Sequence, residues 1–118
     1  MLIRTNRTFV PPTDVVELAD RLVVIVEIAG MQANGFNITL HNRRLSISGV
    51  RNRPELTQPA YHQVEIGFGE FRVEVALPWS VDRDQVSASY QHGFLQIELP
   101  RKPVETVPVV ERNAKEQE

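Results

Sequence analysis

The sequence contains no cysteine, and its 118 residues include only one tryptophan, two tyrosines and five phenylalanines. Without cysteine the chain has no disulfide framework, no Cys-based zinc site and no cysteine nucleophile. It also lacks an excess of one charge, because 13 Lys+Arg against 15 Asp+Glu give a net charge of −2. Nucleic-acid-binding domains usually carry a basic surplus, so we expect no nucleic-acid partner.

Long hydrophobic runs are missing as well. The longest aliphatic run covers residues 22–26 and ends at Glu27, far short of the roughly 18 residues that a membrane-spanning helix needs. Residues 1–7 lack the apolar core of a signal peptide. We therefore expect a cytoplasmic protein with no membrane partner.

Helical periodicity is scarce, whereas alternation of apolar and polar residues is frequent. The chain holds 16 Val and 7 Ile, whose branched side chains suit a pleated sheet. Eight Pro and six Gly interrupt it at short intervals. Regularly spaced short strands with turn residues between them predict an all-β antiparallel sandwich of seven to eight strands. The alternating segments are 13–19, 21–29, 36–40, 45–49, 61–66, 71–77, 86–90 and 94–99.

Residues that carry out chemistry are few and scattered. His41, His62 and His92 fall in predicted turns or at strand edges, and none has a second ligand at the spacing of a metal site. No serine lies in a Gly-x-Ser-x-Gly elbow, and residues 82–84 lack the further oxygen ligands of a calcium loop. We therefore predict a protein that is not an enzyme and has no catalytic residues, metal or cofactor.

Two features indicate a binding protein, and each has a second interpretation. Val107 and Val109 point the same way on an extended chain, and Pro108 between them favours that conformation. Such a segment suits an apolar slot or a sheet edge, although it is equally consistent with a linker. Trp79, which follows Pro78, is either an exposed contact residue or a cover over one end of the sandwich.

Residues 88–95 show an ordered pattern of Ala, three residues, a polar residue, Gly, an apolar residue and Leu. Its residues are Ala88, His92, Gly93, Phe94 and Leu95. This pattern resembles the signature of the alpha-crystallin domain, which defines the small heat-shock proteins. Further segments stand in the order of that family: 29–30, 45–49, 69–71, 77–78, 81–82 and 97–101.

The resemblance implies an immunoglobulin-like sandwich over residues 13–101, after a short arm (1–12) and before a C-terminal extension (102–118). It also implies an ATP-independent holdase that binds partly unfolded client proteins under stress. The alternative is a sandwich adaptor resembling CS-domain co-chaperones, which bind a folded chaperone.

Two assembly contacts follow from the resemblance. A strand in the long loop would swap into a partner to form a homodimer, and the Val107-Pro108-Val109 tail would dock in a groove of a neighbouring dimer to form a larger oligomer. The swapped strand would be Tyr61, His62, Gln63, Val64 and Glu65, pairing near Val15, Val16 and Leu18 of the other chain. The groove would be lined by Phe36, Ile38, Leu40, Val86, Ala88 and Tyr90.

Overall fold

A computed structural model describes residues 8–113. Within them the chain forms seven antiparallel strands in two sheets and no α-helix, which confirms the all-β sandwich. One sheet has the order β1-β2-β7-β6 and the other has the order β3-β4-β5. The strands are β1 (Thr13–Glu17), β2 (Arg21–Glu27), β3 (Phe36–His41), β4 (Arg44–Arg51), β5 (Gly69–Ala76), β6 (Ser87–Gln91) and β7 (Phe94–Pro100).

The core lies between the sheets and is built from alternate residues of their central strands. In β2 the alternation places Leu22, Val24 and Val26 inward, and each is buried. In β7 the inward residues are Leu95, Ile97 and Leu99, paired with β2 in register so that Val24 lies beside Ile97. The opposing sheet contributes Leu45, Ile47, Phe71, Val73 and Val75.

Two short connections fix the geometry of the sheet edges. Asn42, with φ of 50°, lies in the tight turn between β3 and β4, as the sequence predicts. His92 and Gly93, with φ of 53° and 83°, form the turn between β6 and β7. Left-handed backbone of this kind is typical of two-residue hairpins.

One strand prediction differs from the structure. Residues 61–66 are exposed and adopt no strand, although their sequence alternates. A strand requires a hydrogen-bonding neighbour, and among residues 8–113 this segment has none. It lies in the long connection between β4 and β5, which spans residues 52–68.

Candidate functional site

β3 and β6 are outer strands of different sheets, and the groove predicted from the sequence lies between them. Phe36, Ile38 and Leu40 of β3 alternate with exposed neighbours and are half-buried against the core. On the opposite wall Val86 and Tyr90 are also half-buried, while Ala88 is exposed. Across the two strands the structure places Phe36 against Tyr90; a groove that binds a tail along all six residues stays a prediction.

Aromatic packing closes one end of this groove. The rings of Phe36 and Tyr90 lie 5.1 Å apart between centroids. The Tyr90 hydroxyl donates to the carbonyl oxygen of Ile28 at 2.7 Å and accepts the N–H of Met31 at 3.2 Å. Because both hydroxyl bonds go to backbone groups, the position of the ring is fixed at this end.

The other end opens into a basic cavity of about 520 Å³. Leu40 and Val81 line it from the apolar side. The remaining lining residues are polar or cationic, and no carboxylate is among them. They are Asn42, Arg43, Ser80, Arg83 and Lys102.

Trp79 covers this end of the sandwich rather than standing free. Its ring is half-buried and packs against the core. The guanidinium of Arg101 lies over the ring, 5.0 Å from a ring centroid. Of the two interpretations of Trp79, the structure supports the one in which its ring covers an end of the sandwich.

The signature residues shape the hairpin of β6 and β7. The Gly93 carbonyl oxygen accepts the Ile28 N–H at 2.9 Å, and a Cβ on Gly93 would lie 3.4 Å from the Ala29 Cβ. Leu95 is buried in the core, whereas Phe94 is largely exposed. Gly93 is thus favoured by its positive φ, whereas the contact with Ala29 alone would accommodate a Cβ.

On the opposite side of the sandwich, β1 and β5 are also outer strands, and an open cavity of about 490 Å³ lies between them. Val15 points to the core face, because its register partner Val24 is buried, yet it remains 48 % exposed. Val16 and Leu18 are exposed as well. This edge therefore leaves apolar surface and unpaired backbone groups of β1 uncovered within one chain.

The predicted exchange and docking segments are both exposed. Tyr61 and Val64 lie more than half in solvent, and the long connection does not bring them to the chain's own β1. Val107 is 82 % exposed and Val109 is 96 % exposed. The structure does not bring Val107-Pro108-Val109 into its own chain's groove.

Arg51 and Arg53 lie over aromatic rings in the long connection between β4 and β5 and beside it. The Arg51 side chain donates twice to the Gly67 carbonyl oxygen, at 2.9 and 2.6 Å, and lies over the ring of Phe9 at 5.2 Å. Arg53 lies over Phe68 at 4.7 Å. The aromatic residues are visible in the sequence. Which arginine contacts which ring depends on how the chain folds.

Phe9 adds a short parallel bridge to the edge of β5. Its N–H donates to the Glu70 carbonyl oxygen at 3.0 Å, and its own carbonyl oxygen accepts the Arg72 N–H at 3.1 Å. The Phe9 ring packs on Phe71 with 5.7 Å between centroids. The segment before β1 is thus attached to the second sheet.

Charged side chains at the strand surfaces form exposed pairs. Arg21 bonds both Asp20 and Glu98, and the hydrogen bond to Asp20 is the main reason that the pKa of Arg21 is raised. Across residues 8–113 no group of three or more His, Asp or Glu side chains is arranged to hold a metal ion. Nor does that part of the chain contain a helix that is long and apolar enough to cross a membrane.

Comparison with known proteins identifies the family to which this sandwich is similar. Residues 14–114 match the Hsp20/alpha crystallin family. The small heat shock protein C2 of Rickettsia felis is 28% identical over 99 residues, which are 83% of this chain and 64% of the relative. Spore protein SP21 of Stigmatella aurantiaca is 31% identical over 96 residues, or 80% of this chain and 57% of the relative. The chain thus spans less than two thirds of the length of these curated relatives.

Solved structures share the fold. A small heat-shock protein from Xylella fastidiosa superposes with a TM-score of 0.77 at 27% identity, covering 91% of this chain and 99% of that one. HspA from Xanthomonas axonopodis gives a TM-score of 0.75 at 27% identity, with 84% of this chain and 100% of that one covered.

Proposed function

The chain belongs to the Hsp20/alpha crystallin family, and on that premise we propose that it is an ATP-independent holdase that binds partly unfolded proteins and prevents their aggregation. The observation that carries the proposal is the pair of outer strands β3 and β6, with half-buried apolar side chains, in a chain whose Val107 and Val109 are largely exposed. Contacts of this kind are apolar and adaptable, as binding of many different non-native chains requires. Such a protein is not an enzyme, and we propose that it acts in the cytoplasm.

The proposed homodimer forms by exchange of residues 61–65. In each chain this segment would pair with β1 of the partner, near Val15, Val16 and Leu18. The free edge of β1 and the incompletely covered Val15 support this pairing, because main-chain hydrogen bonds and burial of aliphatic side chains both stabilise an added strand. The absence of a strand over 61–66 in one chain is consistent with a segment that acquires its partner from another copy.

Larger assemblies would use the tail. Val107 and Val109 of one dimer would enter the β3–β6 groove of another, where half-buried Ile38 and Val86 offer apolar contacts. Burial of two Val side chains gains roughly 3–6 kcal/mol, and ordering three residues costs about 1–2 kcal/mol each. A single tail is therefore weakly bound, and assembly depends on several tails engaging together.

Weak, multivalent docking suits a holdase. Release of a tail exposes the groove, and its apolar walls then become available to clients without any chemical step. Reversible subunit release is thus a property of the contact energies rather than of a bound nucleotide.

An aggregation assay tests the proposal. A client protein is heated without ATP, with and without a molar excess of this protein, and light scattering is followed. Suppressed scattering is expected, and equal scattering in both samples overturns the holdase. The co-chaperone adaptor predicts a different result: one folded partner captured at a fixed stoichiometry, with no protection of the client.

A further inference from the structure

Three cations around the basic cavity lack carboxylate partners. Arg21, Arg44 and Arg72 each form an ion pair within 4 Å. Within residues 8–113, by contrast, no carboxylate pairs with any cation that lines the cavity. Those cations are Arg43, Arg83 and Lys102.

Two carboxylates nearby do not neutralise this cluster. Asp82 and Asp84 flank Arg83 in the sequence but do not line the cavity. The Asp82 carboxylate instead accepts the N–H of Asp84 at 3.0 Å and caps its own turn. The lining of the cavity therefore carries three cations and no carboxylate, on the side where Leu40 contributes to it.

The cavity is the charged end of an otherwise uncharged groove. The segment 30–42, which contains β3, has no Asp, Glu, Lys or Arg, and the segment 85–97, which contains β6, has none either. Phe36 and Tyr90 close the far end. A docked chain consequently meets fixed cations at one end only.

The tail carries a carboxylate that can reach the basic end of the groove when the two Val side chains are docked. Glu105 precedes Val107 by two residues, so on an extended chain it lies on the same face and about 7 Å away. Phe36 and Leu40 are four residue steps apart in β3, a span of about 13 Å. Two Val in the groove thus leave room for Glu105 at the Leu40 end.

Glu111 stands at the same distance on the other side of the motif but is a poorer match. It is followed by Arg112, whose charge would approach the three cations, whereas Glu105 lies between Val104 and Thr106. Like charges brought together at a contact reduce its stability and so select against that orientation.

We propose that the Glu105 carboxylate of a docked tail, from a neighbouring copy of this chain, binds in the cavity formed by Arg43, Arg83 and Lys102. The contact sets the direction of the tail, which runs from Leu40 toward Phe36 and therefore antiparallel to β3. This inference rests on the tail docking proposed above. It adds that Glu105 determines the orientation in which the tail docks.

Charge reversal in the tail tests the contact. Glu105→Lys and the matched control Glu111→Lys are compared in the full chain by sedimentation velocity over a range of concentrations. Both sites lie in the exposed tail, so the fold is retained in each. Loss of one charge-assisted contact is expected to raise the concentration for half-assembly beyond the dimer about tenfold in Glu105→Lys, and less than twofold in Glu111→Lys.

A charge swap separates the contact from a general effect of charge. Arg43→Glu combined with Arg83→Glu should weaken assembly of the wild-type tail and restore assembly of the Glu105→Lys tail. Equal effects of Glu105→Lys and Glu111→Lys, or no rescue by the swap, overturn the proposal. If Val107→Ala with Val109→Ala also leaves the mass unchanged, tail docking itself fails. If that double variant dissociates the assembly while Glu105→Lys does not, only the Glu105 contact fails.

Discussion

The hydroxyl of Tyr90 donates a hydrogen bond to the carbonyl oxygen of Ile28 at 2.7 Å, linking the outer strand β6 to the residue that follows β2. The hydroxyl oxygen of Tyr90 also accepts the Met31 N–H. One side chain therefore fixes both the end of the β3–β6 groove and the loop that leads into β3.

Tyr90→Phe removes this link while keeping the ring against Phe36. The free energy of unfolding is expected to fall by about 1–3 kcal/mol, because backbone groups of Ile28 and Met31 lose a partner at a half-buried site. Urea denaturation followed by fluorescence measures the change. Tyr61→Phe, at an exposed tyrosine, is the control and should leave stability within about 0.5 kcal/mol; an equal loss in both variants contradicts the role given to the bond.

The structure leaves no room for a side chain at Gly49 in β4. A Cβ there would lie 2.7 Å from both the Gly35 carbonyl oxygen and the Phe71 Cζ. Gly49→Ala is therefore expected to destabilise the fold by about 1–3 kcal/mol. Thermal unfolding should show it, and Gly35→Ala is the control, because its Cβ meets only the flexible end of Met31. A stable Gly49→Ala variant would show that β4 shifts at no cost.

The alternation of apolar residues was sufficient to predict the strands, because each central strand buries one face. Leu45 and Ile47, for instance, are buried while Arg44 is exposed. Residues 61–66, predicted as a further strand, form no strand within the described chain. The alternation of apolar residues indicates which face a segment would bury. It does not indicate whether the same chain supplies a hydrogen-bonding neighbour.

The groove was found from sequence only through the family resemblance, and its basic end was not found at all. Arg43, Arg83 and Lys102 are far apart in the chain, and the turns at Asn42 and after Val81 bring them to one cavity. Likewise, the spacing of Arg51 and Phe9 in the sequence does not predict their contact. Such clusters depend on how the sheets pack, which one sequence does not specify.

Arg51→Lys should loosen the long connection. Lysine cannot reproduce the paired donation to the Gly67 oxygen together with stacking on Phe9, so about 1–2 kcal/mol of stability is expected to be lost. Limited proteolysis should cleave the connection 52–66 faster than in the unaltered chain. Arg53→Lys, which stacks on Phe68 without a hydrogen bond to the backbone, should have the smaller effect, and a reversed order would contradict the role of Gly67.

Val64→Asp tests the proposed strand exchange. A charge in a strand that covers Val15 or Val16 of the partner would be desolvated without a partner charge, so the dimer is expected to dissociate at least tenfold more readily. Sedimentation equilibrium measures the dissociation constant. Leu56→Asp is the matched control, because Leu56 is 62 % exposed and Val64 is 57 % exposed in the same connection. Monomers in the unaltered protein at micromolar concentration would refute the exchange.

Val107→Ala with Val109→Ala tests whether the tail assembles dimers. Each substitution removes two methyl-sized groups from the docked surface, about 0.8 kcal/mol per group, so a contact that is only marginally favourable becomes unfavourable. Light scattering should then show any larger species reduced to dimers. Val104→Ala with Val110→Ala makes the same chemical change at equally exposed positions outside the motif and should leave the mass unaltered. A mass that does not change in the first variant would remove Val107-Pro108-Val109 from the mechanism. Equal dissociation in both variants would show that the tail acts by its general hydrophobicity rather than by a motif that fits the β3–β6 groove.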